Sequence, residues 1–329
     1  MPEYESRILR ADEAQQLVDF VDHIYQGSYP SDLFASADTV AALIEQEQLY
    51  PSVTFNERGE IIGHLAVLFE DEQRLTADSI TGMVLPAYRG NNLMEKLARP
   101  VLPLYQKLAG QHLYPVTFHT ISQRKTIDTG GVACGTLLAD WPTDLSIEGF
   151  APPDNLPRMP MSCVFYPFNT ALAPQRDYYL PEVYRSTVAG LYQNIGFGRS
   201  AARHRGDIAE GESRCKTIRK PRQGSIALRF LTLAADCEQL VEQFIADSND
   251  YPARYIDVPI TQAGAAQMLD WLRERGWYFG GLLPERHGVD LLRMQCSDIA
   301  LDLQSIQLVD AIRAITEFVI DDRETVFSS

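Results

Sequence analysis

The chain has 329 residues, a net charge of −15 and a sequence pI near 4.8, and 45% of its residues are hydrophobic. That much apolar material excludes wholesale disorder, and the acidic balance argues against nucleic acid and anionic membrane surfaces as partners. Five dispersed cysteines with no Cys-x-x-Cys pair and six scattered histidines fit reduced thiols in a cytoplasmic protein and show no metal-ligand spacing. No apolar run approaches the roughly 18 residues of a membrane span, and the acidic segment Met1–Arg7 does not read as a signal peptide. At ~150 residues per domain the length suggests about two domains.

In chain order, Ser6–Arg10 reads as a short strand. Leu17, Val21 and Ile24 recur at helical spacing and predict a helix over Ala14–Ile24. A loop over Gln26–Ser36 leads to a second helix, Thr39–Glu47. Ser52–Asn56 and Ile61–Leu68 flank the turn Glu57–Glu60 as a hairpin, and Thr76–Leu85 is the next strand. That strand ends in the polar stretch Arg89-Gly90-Asn91-Asn92 and passes into a helix with Leu93, Leu97 and Val101 on one face. Pro100 and Pro103 should kink or end this helix early. Tyr114–Thr120 reads as a further strand. Trp141–Pro174 is rich in proline and is expected to run over the surface, return one strand near Met161–Phe168 and offer a candidate lid.

A helix starting near Leu180-Pro181-Glu182 runs to Gly196-Phe197, and the polar segment Gly198–Glu212 is the expected boundary. Beyond it, Arg214–Arg219 and Ser225–Leu233 form a strand pair. Ala235–Ala246 is a helix, Tyr255–Ile260 a strand, and Ala263–Arg275 a helix stopped by Gly276. Trp277–Leu283 and Val289–Gln295 close the unit as a strand pair. Ser305–Ile320 adds a helix with Leu308, Ile312, Ile315 and Val319 on one stripe.

The strand–loop–helix unit around Arg89 carries the chemistry. A helix start leaves backbone N–H groups without partners, and with the helix dipole they suit an anion such as a pyrophosphate. Arg89, Lys96 and Arg99 supply local positive charge against an acidic whole.

The stretch Val84-Leu85-Pro86-Ala87-Tyr88-Arg89-Gly90-Asn91-Asn92-Leu93-Met94 resembles the phosphate loop of the GCN5-related N-acetyltransferases, Arg/Gln-x-x-Gly-x-Gly/Ala after a strand ending in Val-x-Pro. Arg89 fills the first slot, and Gly90 and Leu93 fit theirs. The family's two loop glycines fall on Asn92, which tolerates the left-handed conformation, and on Met94, which is not small. The element order strand–helix–helix–strand–strand–strand–helix–strand is also that of the acetyltransferase fold. The family's next motif, Asn-x-x-Ala-x-x-x-Tyr-x-x-x-Gly-Phe, can be laid on His119, Ser122, Thr126 and Gly130-Gly131. Thr126 then stands where many members carry a tyrosine acid. Tyr192-Gln193-Asn194-Ile195-Gly196-Phe197 matches the motif's end without substitution, but lies far beyond the loop. Trp271–Pro284 is similar to the ending of such a domain, and no cofactor loop precedes Ala235–Ala246.

The resemblance implies an α/β (α+β) fold of two acetyltransferase-like domains, each a mixed, mostly antiparallel sheet flanked by helices. The first covers 1–198 with an insertion at about 141–180, the linker 199–212, and a degenerate second domain 213–329. It implies acetyl-CoA or another acyl-CoA as co-substrate, with its pyrophosphate on Arg89, Gly90, Asn91, Asn92, Leu93 and Met94. The pantetheine would lie along the backbone of Met83, Val84 and Leu85. Direct attack of a small-molecule amine on the thioester would need a base, for which His119 and Asp78 are the candidates. A homodimer is the assembly considered. The other reading is an inactive binding or assembly module in which Asn92, Met94 and Thr126 record a lost site.

Overall fold

Leu17, Val21 and Ile24 are buried on one face of a helix, as their spacing predicts, and this face seals the start of the chain onto a sheet. The computed structural model describes residues 4–153 and 155–328; Met1–Glu3 of the acidic N-terminal segment lie outside the described residues. Strand β1 (Ser6–Ile8) precedes helix α1 (Ala14–Tyr25). Helix α2 (Ala37–Glu45) starts two residues before its expected position because Ser36 caps it, its hydroxyl accepting from Thr39 N at 3.2 Å. Strands β2 (Leu49–Phe55) and β3 (Ile61–Leu68) form the hairpin, and β4 (Thr76–Val84) extends it. Helix α3 (Leu93–Ala98) is cut short at Pro100 and Pro103 into a 3-10 turn, Arg99–Val101, and a single turn, α4 (Leu102–Tyr105).

The next strand is β5 (Gly110–Leu113), not Tyr114–Thr120. A Cβ on Gly110 would lie 2.3 Å from the Phe165 ring and 2.7 Å from Tyr166 O, so only glycine permits this close approach of backbones. His112, buried in this strand, makes a 3.1 Å ring-nitrogen contact to Pro284 O in the second half of the chain. These contacts override the β propensity of Tyr114–Thr120, which lies against β7 through the bridge Val116 to Met161 and the Thr117 hydroxyl donating to Pro160 O at 2.7 Å, without forming a strand.

Helix α5 (Ile121–Ile127) is followed by β6 (Val132–Trp141), a strand the sequence reading left out, and by β7 (Met159–Pro167), the returning strand. Strand β8 (Arg176–Tyr178), helix α6 (Glu182–Ile195) and strand β9 (Arg199–Ala201) follow, β8 and β9 pairing in parallel. The rest of the chain is β10 (Arg214–Lys220), β11 (Ser225–Thr232), α7 (Cys237–Asp247), β12 (Ala253–Pro259), α8 (Ala265–Arg273), β13 (Tyr278–Arg286), β14 (Val289–Cys296) and α9 (Asp310–Ser328).

Twelve strands form one continuous sheet in the order β1-β2-β3-β4-β5-β7-β6-β13-β14-β12-β11-β10. It is mixed and mostly antiparallel, with parallel steps at β4–β5 and β11–β12. The order β4-β5-β7-β6 and the order β11-β12-β14-β13 are the same arrangement in the same directions, so the second half repeats the later part of the first. The halves meet where Gly135 of β6 pairs with Gly281 of β13. A Cβ on Gly135 would stand 2.1 Å from Gly280 O, so the junction admits no side chain there. One apolar core, including Phe165, Tyr184, Phe230, Phe279 and Val319, runs through both halves. Among the described residues no helix is long and apolar enough to cross a membrane.

Candidate active site

Strands β4 and β5 pair in parallel at Thr76–Gly110, Ala77–Gln111 and Asp78–His112, and then separate. The remainder of β4 continues to Val84 with an open side, which makes a splay in the sheet. Opposite, β4 keeps its pairing with β3, but with an extra residue between Ile80 and Met83. Thr81 sits in this bulge at φ 53°.

The splay opens toward the loop that follows β4. Gly90 has φ 83° and Asn92 φ 55°, so the left-handed position expected of Asn92 is the one it takes. Among the described residues the backbone N–H groups of Gly90, Asn91, Asn92, Leu93 and Met94 make no hydrogen bond. A Cβ on Gly90 would meet nothing within 4 Å, so the cradle is open. Leu93 is buried and anchors the helix. Met94 turns away from the loop, its Cε standing 3.1 Å from where a Cβ of Gly82 would be. Leu85 N donates to Ile62 O at 3.0 Å, and Met83 is buried. By strand alternation Val84 presents its polar groups to the splay.

Arg89 is exposed but engaged. Its Nε donates to Val84 O at 3.1 Å and its Nη2 to Glu148 O at 3.2 Å. Its guanidinium lies 4.6 Å from the centre of the Phe150 ring. His119 packs on the same ring, 4.5 Å between centroids. The segment 146–150 therefore covers the mouth of the splay. Gly149 at φ 77° makes room, since a Cβ there would fall 2.7 Å from Arg89 Nη1. The same segment is tied to the end of α1 through Glu148 N to Ile24 O (2.8 Å) and Ser146 N to Ser28 Oγ (2.9 Å).

His119 lies just before α5 rather than at a strand end. Its Nδ1 is buried without a partner among the described residues, and burial, with help from the Arg89 charge, lowers its pKa. Thr126, on α5, is buried and its hydroxyl donates to Ser122 O at 2.9 Å. Asp78 does not join His119. It is buried, with Oδ1 2.8 Å from Arg286 Nη1, in a cluster that includes Glu70 and Tyr114. Burial pushes its carboxyl pKa up against the pull of Arg286. Its carboxylate thus ties β4 to the hairpin between β13 and β14.

At the repeated splay, between β11 and β12, the space is filled from within the chain. Gln262 Oε1 accepts from Leu233 N and its Nε2 donates to Leu231 O, both at 2.8 Å. Asp236, the N-cap of α7, accepts from Ser213 N at 2.7 Å and places a carboxylate where the first half has Gly90–Asn92. Tyr192 is core, but not merely apolar: its hydroxyl donates to Asp290 at 2.9 Å. Arg199, in the segment read as linker, is buried against the same Asp290 and Glu285.

The sequence reading passed over His64, Thr81, Phe150, Gln262 and Arg286. His64 was visible as the lone ionisable residue in Ile61–Leu68, and Gly82 inside a strand pattern signals a bulge. Nothing local marks Phe150, Gln262 or Arg286, whose partners are distant in sequence.

No protein-family model and no curated protein matches the chain. Solved structures do resemble it. They include a GNAT-family acetyltransferase from Streptococcus pneumoniae (14% identity, TM-score 0.39, 50% of this chain and 99% of that one). A spermidine/spermine N-acetyltransferase from Vibrio cholerae aligns at 14% identity and TM-score 0.38 over 52% of this chain and 95% of that one. A Salmonella typhimurium structure solved with its cofactor acetyl-CoA aligns at 15% identity and TM-score 0.38 over 51% and 95%. On its own topology, from β1 through α1, α2, β2, β3, β4 and α3 to β5, the first half has the element order of the acetyltransferase fold.

Proposed function

We propose that the first half is an acyl-CoA-dependent N-acyltransferase that moves an acetyl or other acyl group to a small amine. The observation that carries this reading is the splay after Asp78–His112, opening onto five consecutive free amides at Gly90–Met94. The amides and Arg89 would hold the pyrophosphate, and the splay-facing groups of Val84 would lie beside the pantetheine. Acyl-CoA supplies the thioester. The amine nitrogen bonds the acyl carbon as the carbon–sulfur bond breaks, and the amine must give up a proton. His119, with its pKa lowered, is neutral at pH 7 and can take it. The second half serves as a support without its own CoA site, consistent with the Gln262 plug and Asp236.

CoA or acetyl-CoA should therefore raise the melting temperature, with one molecule bound per chain by calorimetry. Arg89→Ala should weaken the effect and leave the fold intact. No shift at millimolar ligand would overturn the proposal, and two equivalent sites would overturn the division between halves.

His119→Ala should lower kcat by ~10²-fold, the usual scale for a general base. Thr126→Ala should cost much less, because its hydroxyl is a poor acid and is already bonded to Ser122 O. The wild-type rate should fall with acid at a pH below the ordinary histidine range, and His119→Ala should flatten that limb. An unchanged profile in His119→Ala excludes it as the base.

One observation favours the second reading, an inactive binding module. Arg89 is held by Val84 O, Glu148 O and Phe150, and must leave them to reach a phosphate. A wild-type chain that binds CoA but transfers no acyl group to any amine would establish it.

A further inference from the structure

Thr81 is the only β-branched residue with positive φ among the described residues, at 53°. Such a residue is strained there, by roughly 1–3 kcal/mol, and persists only where its surroundings impose the conformation. The imposing contact comes from β3. The ring of His64 is fully buried, and its Nδ1 lies 3.2 Å from Thr81 O. A carbonyl oxygen can only accept, so Nδ1 carries the hydrogen and Nε2 is the lone-pair nitrogen. Nε2 has no partner among the described residues. The ring is held edge-on by Phe20 (6.5 Å) and Phe34 (5.9 Å), from α1 and the turn before α2. A buried imidazole with a free nitrogen is costly to keep in a core. An aliphatic side chain would fill the space at less cost, but could not hold the Thr81 carbonyl.

We propose that His64 is a positioning residue of the acyl site: its Nδ1–H fixes the Thr81 carbonyl and, through the bulge, aims the Gly82–Val84 backbone at the splay. The proposal rests on the acyltransferase reading. It makes α1 and the α2 entry part of the site's alignment, because Phe20 and Phe34 set the ring.

His64→Phe keeps bulk and burial but removes the donor, and His64→Asn keeps an N–H near Nδ1. For acetyl transfer, kcat should fall by about 10²-fold in His64→Phe, the scale of a small misplacement of reacting groups. The KM for acetyl-CoA should move by less than about threefold, because the loop amides are untouched. His64→Asn should recover about tenfold of the loss. Amide hydrogen exchange at Ile80–Val84 should quicken in His64→Phe, while β2 is unchanged and a Val53→Ala control leaves Ile80–Val84 protected. Nitrogen-15 spectra of the wild type should show a protonated Nδ1 and a bare Nε2. Retained kcat, or unaltered exchange at Ile80–Val84, overturns the proposal. If the wild-type chain transfers no acyl group, the function proposal fails, and the exchange and nitrogen spectra alone decide the role of His64.

Discussion

Arg286→Met should destabilise the chain by about 3–5 kcal/mol, the scale for removing one partner of a buried ion pair. Arg286 is 4% exposed, yet it comes from a hairpin of the second half and ends among carboxylates of the first. Its Nη1 stands 2.8 Å from Asp78 and 3.5 Å from Glu70, and its Nη2 donates to Tyr114 at 3.2 Å. The hairpin is shaped for this reach, with Glu285 and His287 at φ 51° and 55°. Burial would push Glu70 up, but Arg286 and Arg229 outweigh it and hold the carboxyl well below its usual range. Methionine fills the space and leaves the buried Asp78 without its ion-pair partner, while Glu70 keeps Arg229 at 3.0 Å. Asp78→Asn in the same background should restore part of the loss, so the two changes should not add. Urea unfolding of both single variants and the double variant measures this. A cost under about 1 kcal/mol for Arg286→Met would show that the cluster does not hold the halves together. The same series separates roles for Asp78: lost stability with retained turnover makes it a strut, and the reverse makes it a base.

Acid should unfold the protein well above the carboxylate range. Two buried histidines and the half-buried His287 are kept neutral. Burial takes His64 down to about 3. Burial, then Arg286, takes His112 well below its usual value. Burial, then Arg229 and Lys216, takes His287 down to about 4. In each case the folded pKa lies below the unfolded value of about 6.5, so the unfolded chain binds more protons. The stability they allow is complete above about pH 6.5 and is lost as pH falls toward the folded values. Each proton is worth about 1.4 kcal/mol per pH unit, so three give a slope of up to about 4 kcal/mol per unit. Asp78 and Glu285, whose carboxyls are pushed up by burial, oppose this only where they titrate. Against a typical stability of 5–15 kcal/mol, unfolding near pH 5 is expected. Urea midpoints at pH 7, 6 and 5 test the slope, and His287→Gln should reduce it by one proton. A flat midpoint between pH 7 and 5 would rule the account out.

What could be read from sequence was what local chemistry determines. The buried face of α1, the hairpin of β2 and β3, the break at Pro100 and Pro103 and the left-handed Asn92 all follow from neighbouring residues. What could not be read depends on partners far along the chain. Tyr114–Thr120 has the better strand composition, but the sheet takes Gly110–Leu113 because Phe165 and Pro284 contact that segment. Asp78 looked like a free carboxylate on a catalytic strand until Arg286 reached it from the other half. The loop residues Arg89–Met94 were legible as an anion cradle, whereas the covering by Glu148 and Phe150 was not.

The bare meeting of Gly135 and Gly281 has a consequence for how the chain assembles. Strands β6 and β13 each finish their own half and, until they meet, each is an open edge with unsatisfied backbone groups. The contact joins segments far apart in the sequence, so it forms late, after both edges exist. At the glycine pair itself no side chain sets the register; that falls to the buried amide of Gln295, which bonds Leu138 N and Thr136 O of β6 and Phe279 O of β13 only once the edges have met. In that interval a second copy offers the same edges. Refolding should therefore lose yield to cross-paired species as concentration rises, with the rate of the remaining intramolecular closure unaltered.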